Sequence, residues 1–130
     1  MMIAKLRVAR ATNQLKLISE MYRTGLDLFV LGSFKDHAGF DGVILGKENS
    51  PYHFEFTQQA GFHSPHSHSA ESLIVFYIPD AIEWENQKNK MLQAGFKQIV
   101  SHNPYWDQNG CTLIDPEDYR IVLCKIPWTR

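Results

Sequence analysis

Glu55 has the clearest chemical opportunity in this chain. It lies in Tyr52-His53-Phe54-Glu55-Phe56-Thr57, where polar and aromatic residues alternate. In an extended strand that alternation puts His53, Glu55 and Thr57 on one face and Phe54 and Phe56 on the other. A carboxylate on a sheet face inside a closed apolar cavity suits a general base or a ligand acceptor, its pKa raised by burial. The other reading is an ion pair with Arg7 or Arg120, which would hold Glu55 ionised and make it a poor acid. His63, His66 and His68 form a second cluster of three imidazoles, the commonest side-chain metal ligand. Their spacing fits neither a helix face nor a zinc knuckle, and the surrounding Ser and Pro read as an exposed linker. Tyr105 and Trp106 sit in a polar stretch, 103–109, read as a loop. They would either stack on a planar ligand or anchor their own loop.

These residues depend on a repeated set of elements. Residues 3–10 alternate Leu6 and Val8 against Arg7 and Ala9, the pattern of a strand with one packed face. Thr12-Asn13 supplies an N-cap, Leu15, Ile18, Tyr22 and Leu26 form an apolar helical stripe, and Gly25 fits the helix end. Strands follow at 28–34, 40–45 and 52–58, with a turn at Asp36-His37-Ala38-Gly39. After the Ser- and His-rich stretch the plan restarts. A strand spans 72–78, and Asp80 with Glu83 caps a helix that runs to about Ala94 and stops at Gly95. A strand at 96–100 and a hairpin, Gly110 to Cys124, complete the set. Asp115-Pro116-Glu117-Asp118 is its turn. Gly25 and Gly95 lie 70 residues apart, Gly42 and Gly110 lie 68 apart, and Tyr52 and Tyr119 lie 67 apart. Offsets that drift so little point to an internal duplication.

Composition limits the partners. A chain of 130 residues with 44% hydrophobic and 21% charged residues suits one folded domain. A net charge of −1 argues against a nucleic-acid footprint or a polybasic membrane patch. No apolar run is long enough to span a membrane, and no signal-peptide core is present. Cys111 and Cys124 lie in apolar runs and read as buried thiols in a reducing cytosol, so a cytoplasmic location is expected.

Met21-Tyr22-Arg23-Thr24-Gly25-Leu26-Asp27-Leu28 and Asp115-Pro116-Glu117-Asp118-Tyr119-Arg120 resemble the helix exit and the "DPDGYR" hairpin of the vicinal oxygen chelate superfamily. That superfamily includes glyoxalase I and the bleomycin- and fosfomycin-resistance proteins. The departures are Met for Phe at 21, Asp for Gly at 27 and Asp for Gly at 118. The resemblance covers essentially the whole chain. It implies an α+β fold: two βαβββ modules forming a cup-shaped mixed sheet, with helices on the convex face. The expected organisation is one domain over 1–130, with modules at about 3–59 and 71–127 and a linker at 60–70. Metal-dependent members carry His or Glu on four strands facing the cup. Here those positions fall at about Arg7, at Glu55, near Leu73 and at Val122. Only Glu55 keeps a ligand, so no cofactor is expected.

The expected function is therefore that of a glyoxalase/bleomycin-resistance-like protein that binds a small organic molecule without the usual divalent metal. Glu55 is the candidate catalytic residue. Arg7, His53, Glu55, Leu73, Tyr77, Trp106, Arg120 and Val122 are the candidate ligand-binding residues. Two alternatives stand beside this. One is a metal-dependent lyase, transferase or dioxygenase using Glu55 with His66 or His68. The other is a non-catalytic dimeric interaction module. Many relatives in the superfamily are dimers, so a homodimer is expected.

Overall fold

In the computed structural model, which describes residues 4–67 and 69–128, the chain divides after Pro65 into two units of the same topology. The first runs β1 (Leu6–Ala11), α1 (Leu15–Gly25), β2 (Phe29–His37), β3 (Phe40–Gly46) and β4 (Tyr52–Gln59). Its sheet has the order β1-β4-β3-β2, with β1 parallel to β4 and the other pairs antiparallel. The register pairs Val43 with Phe56 and Leu45 with Phe54, so these residues share a face. Tyr22 of α1 packs there, its ring centroid 4.7 Å from Phe56 and 5.8 Å from Phe54. Ile18, Met21 and Leu26 are buried beside it, as the apolar stripe requires.

Three details differ from expectation. Leu6 is exposed, and Arg10 completes that face instead. Its guanidinium lies 5.0 Å over Phe56 and donates to the Tyr22 hydroxyl at 3.2 Å. Asn13 does not cap α1. Its amide exchanges two hydrogen bonds with the Ser64 backbone, at 2.8 and 2.9 Å, and so ties down the chain beyond β4. The free N–H groups at the helix start go to Thr12 Oγ1, from Gln14, and to Gln58 Oε1, from Leu15. The turn expected over 36–39 narrows to Ala38-Gly39, both at positive φ, which matches the twist of the flanking strands. Gly25 ends α1 as expected, and the left-handed residue beyond it is Asp27, at φ 59°.

The second unit runs β5 (Leu73–Tyr77), α2 (Ala81–Gln93), β6 (Lys97–Ile99), α3 (Pro104–Asn109), β7 (Gly110–Ile114) and β8 (Arg120–Cys124), in the order β5-β8-β7-β6. Asp80 accepts from the Glu83 backbone N–H at 2.9 Å, as its capping pattern requires. Trp84 of α2 is buried on the sheet and donates to the Leu123 carbonyl at 2.9 Å. The expected loop over 103–109 is in fact the short helix α3. Asn103 caps it through the Tyr105 N–H, and Pro104 opens it. In the hairpin, Asp115 Oδ1 accepts from Glu117 N–H at 2.7 Å and from Tyr119 N–H at 3.2 Å. Cys111 and Cys124 are buried free thiols. No helix among the described residues is long and apolar enough to cross a membrane.

Candidate functional site

The two registers superimpose the repeat. Arg7 pairs with His53 and Ala9 with Glu55 in the first unit, while Leu73 pairs with Arg120 and Val75 with Val122 in the second. Arg7 thus corresponds to Leu73, His53 to Arg120 and Glu55 to Val122. All six lie on the sheet face turned away from their own unit's helix, as the strand alternation requires.

In the first unit this face carries a polar site. Arg7 donates from Nε to His53 Nε2 at 2.8 Å and from a terminal nitrogen to Glu55 Oε2 at 3.3 Å. Because His53 Nε2 accepts, the ring in this arrangement carries its proton on Nδ1. The Glu55 side chain is 17% exposed and that of Arg7 46%. Of the two readings of Glu55, the geometry matches the ion pair with Arg7.

A cavity of about 660 Å³ opens beside this pair. Arg7 and His53 form part of its floor, and Leu31 and Ile44 form an apolar wall. Lys5 and the Lys47–Ser50 loop complete it, with Tyr52, whose phenol is raised above its ordinary pKa by burial. Small residues keep the hollow open. A Cβ on Gly46 would come within 2.8 Å of Leu31 Cδ1 and 3.0 Å of His53 Cβ. Leu31 lies on this face by alternation from Phe29, the register partner of Gly46, and the β2–β3 register slips beside it, between Val30 and Gly32.

The second unit's face is more apolar and partly covered. Val122 and Cys124 are fully buried. Thr112, the register partner of Val122, shares a 2.6 Å hydrogen bond with Ser101, and Ser101 donates to Asp107 of α3 at 2.6 Å. These bonds hold α3 against the sheet. Leu73 and Trp106 meet in a cavity of about 480 Å³ with Glu71, His102, Asn103 and Pro104. Trp106 also packs edge-on against Tyr105, their centroids 5.0 Å apart. Tyr77 is exposed, its ring 6.1 Å from that of Trp128. The Arg120 Nε is buried and has no hydrogen-bond partner among the described residues.

Of the histidine cluster, His63 and His66 are described, and the division after Pro65 puts them in different units. His66 Nε2 lies 3.6 Å from the buried Glu117 carboxylate, and its ring is edge-on to Tyr119. His68 lies outside the described residues. Among the described residues, no group of three or more His, Cys, Asp or Glu side chains is gathered to hold a metal ion. The four superfamily ligand positions do not fit a metal either. Leu73 and Val122 carry no donor, and the Arg7 guanidinium already lies against Glu55.

The residues that sequence reasoning missed are Lys5, Leu31, Ile44 and Lys47. Lys5 was within reach, because period-two alternation puts it on the Arg7 face. Leu31 was not, because the pairing of β2 with β3 that sets its face is not written in its own stretch of sequence.

Two βαβββ modules, each with a parallel outer strand pair and one long helix, define the glyoxalase-like, vicinal oxygen chelate class of fold. Fosfomycin resistance protein FosX from Mesorhizobium loti shares it, with a TM-score of 0.71 at 9% identity over 98% of this chain and 94% of that one. So does glyoxalase I of Leishmania major, with a TM-score of 0.68 at 18% identity over 91% of this chain and 83% of that one. Within this class the chain belongs to the YycE-like family: residues 6–57 match the YycE-like N-terminal domain and residues 71–125 the YycE-like C-terminal domain. The uncharacterised protein YycE of Bacillus subtilis (strain 168) is 41% identical over 120 residues, which cover 92% of this chain and 86% of that protein. A crystal structure of a YycE protein from Bacillus subtilis matches with a TM-score of 0.87, covering 98% of this chain and 93% of that one.

Proposed function

We propose that the protein binds a small organic molecule on the open face of its first sheet, using Arg7 as the fixed cation where metal-dependent relatives would use a metal ion. The observation that carries this reading is the Arg7–Glu55 pair at 3.3 Å, beside a hollow of about 660 Å³ with an apolar wall. A concave, partly apolar site with a few polar groups on rigid strands is the usual form of a small-ligand site. In this reading Glu55 positions Arg7 and His53 receives a hydrogen bond from it, so both act on the ligand through the guanidinium. The likeness to a fosfomycin resistance protein and a glyoxalase is consistent with a small-molecule role, though at these identities it speaks to fold alone.

The test is a thermal-shift screen of small organic molecules on the full chain, repeated on Arg7→Gln. A ligand at a hundred times its Kd stabilises the folded state by about 2.7 kcal/mol. Hits on the wild type that vanish in Arg7→Gln support the reading. Hits that persist in Arg7→Gln and vanish in Trp106→Ala would move the site to the second unit's cavity and overturn it.

A further inference from the structure

We infer that the ligand of the first-unit hollow carries an oxyanion, a carboxylate or a phosphate, on an apolar body; this rests on the small-molecule reading above and adds its chemical class. The charge around the hollow is the first argument. The chain as a whole has a net charge of −1. Around this cavity three cations, Lys5, Arg7 and Lys47, face only two carboxylates, Glu48 in the wall and Glu55 beneath Arg7. The local balance is therefore positive in a chain that is negative overall, and a concave surface concentrates that field.

The second argument is donor capacity. Lys5 and Lys47 form no ion pair with any described residue, so each ammonium has three donors to offer. Arg7 spends two of its five N–H groups, one on His53 and one on Glu55. The planar guanidinium is thereby fixed, with N–H groups left over for the two oxygens of a carboxylate or phosphate. The Tyr52 ring, half-buried, completes the same wall.

The third argument is the shape of the remainder. Leu31 and Ile44 offer no polar atom, and Gly46 allows the wall to approach His53 closely. A fully hydrated ion gains nothing from these groups, whereas an apolar body attached to the anion does.

The test uses matched probes on the full chain: phenylacetate and phenyl phosphate against neutral phenylacetamide and benzyl alcohol. Binding is followed by calorimetry and by the NMR signals of the His53 ring. The acids should bind roughly ten- to a hundredfold more tightly than their neutral partners, the range expected for charge-assisted hydrogen bonds. Their affinity should fall with salt. Lys47 lies exposed in a loop, so Lys47→Gln should fold as the wild type does; it should weaken the acids and leave the preference among the neutral probes unchanged. The two acid arms decide between carboxylate and phosphate. Neutral probes that bind as tightly as the acids, unmoved by Lys47→Gln, would overturn the anion assignment and leave the small-molecule reading standing. No binding by either set, with the His53 signals unmoved, would overturn both.

Discussion

Glu55 and Val122 occupy the same place in two copies of one fold. In the first unit that place carries a carboxylate held by Arg7. In the second it is a fully buried aliphatic residue, beside a strand tied through Ser101 to α3. The strands that carry these two residues pair in the same register in both units, so the difference at this place arises from side chains and from one inserted helix. The first unit's open face carries polar groups beside a hollow, and the second spends the corresponding face on packing. A duplicated fold allows this division, because one copy can keep stability while the other holds groups that pack poorly.

Exchanging the two residues should show the asymmetry most strongly. Val122→Glu puts a carboxylate at a site with no solvent exposure and should cost about 3 kcal/mol or more in chemical denaturation. Glu55→Val removes one partner of a pair open to solvent and should change stability by no more than about 1 kcal/mol. Equal costs would mean that the two faces are not used differently.

The equivalent glycines sharpen the same comparison. A Cβ on Gly110 would run into the Leu123 carbonyl oxygen, a backbone atom fixed by strand pairing. A Cβ on Gly42 would meet the Phe34 ring, which can swing aside. Gly110→Ala should therefore cost about 3 kcal/mol and Gly42→Ala about 1 kcal/mol, read from denaturant midpoints. A larger loss at Gly42 would break this account of the second hairpin.

A smaller effect follows from Cys111, whose counterpart face in the first unit has no thiol. Burial pushes its pKa from 9.0 up to about 11. The unfolded chain gives up this proton first as pH rises. Stability from this group is therefore intact below pH 9.0 and is lost between about 9 and 11. The loss is on the order of 2 kcal/mol. Melting curves of wild type and Cys111→Ala across that window check it, the variant lacking this part of the slope. Below the window, both buried cysteines should resist a thiol reagent until the protein unfolds.

Much of the fold was legible in the sequence because local chemistry and repeat spacing agreed. The Asp115 turn, the Asp80 cap and the alternation of β4 all form as read. Asp27 and Asp118, the two places where Asp stands for the superfamily's Gly, both adopt positive φ, at 59° and 68°. Asp is among the few residues that tolerate this conformation, so these departures preserve the backbone. Helix α3 escaped because six residues show too little periodicity, although Asn103-Pro104 was an available start signal. The open-face residues could be assigned from alternation. That Arg7 reaches both His53 and Glu55 could not, because it depends on the parallel pairing of strands more than 40 residues apart.

The central claim is that Arg7 stands on Glu55 as the site's own cation, leaving no place there for a divalent metal. Titration of untagged, metal-stripped protein with zinc and with manganese tests this most directly, run in parallel on wild type and Glu55→Gln. The account predicts that neither ion binds in a way that depends on Glu55, so the two proteins give the same isotherm. One equivalent of metal bound by the wild type and lost in Glu55→Gln would contradict it.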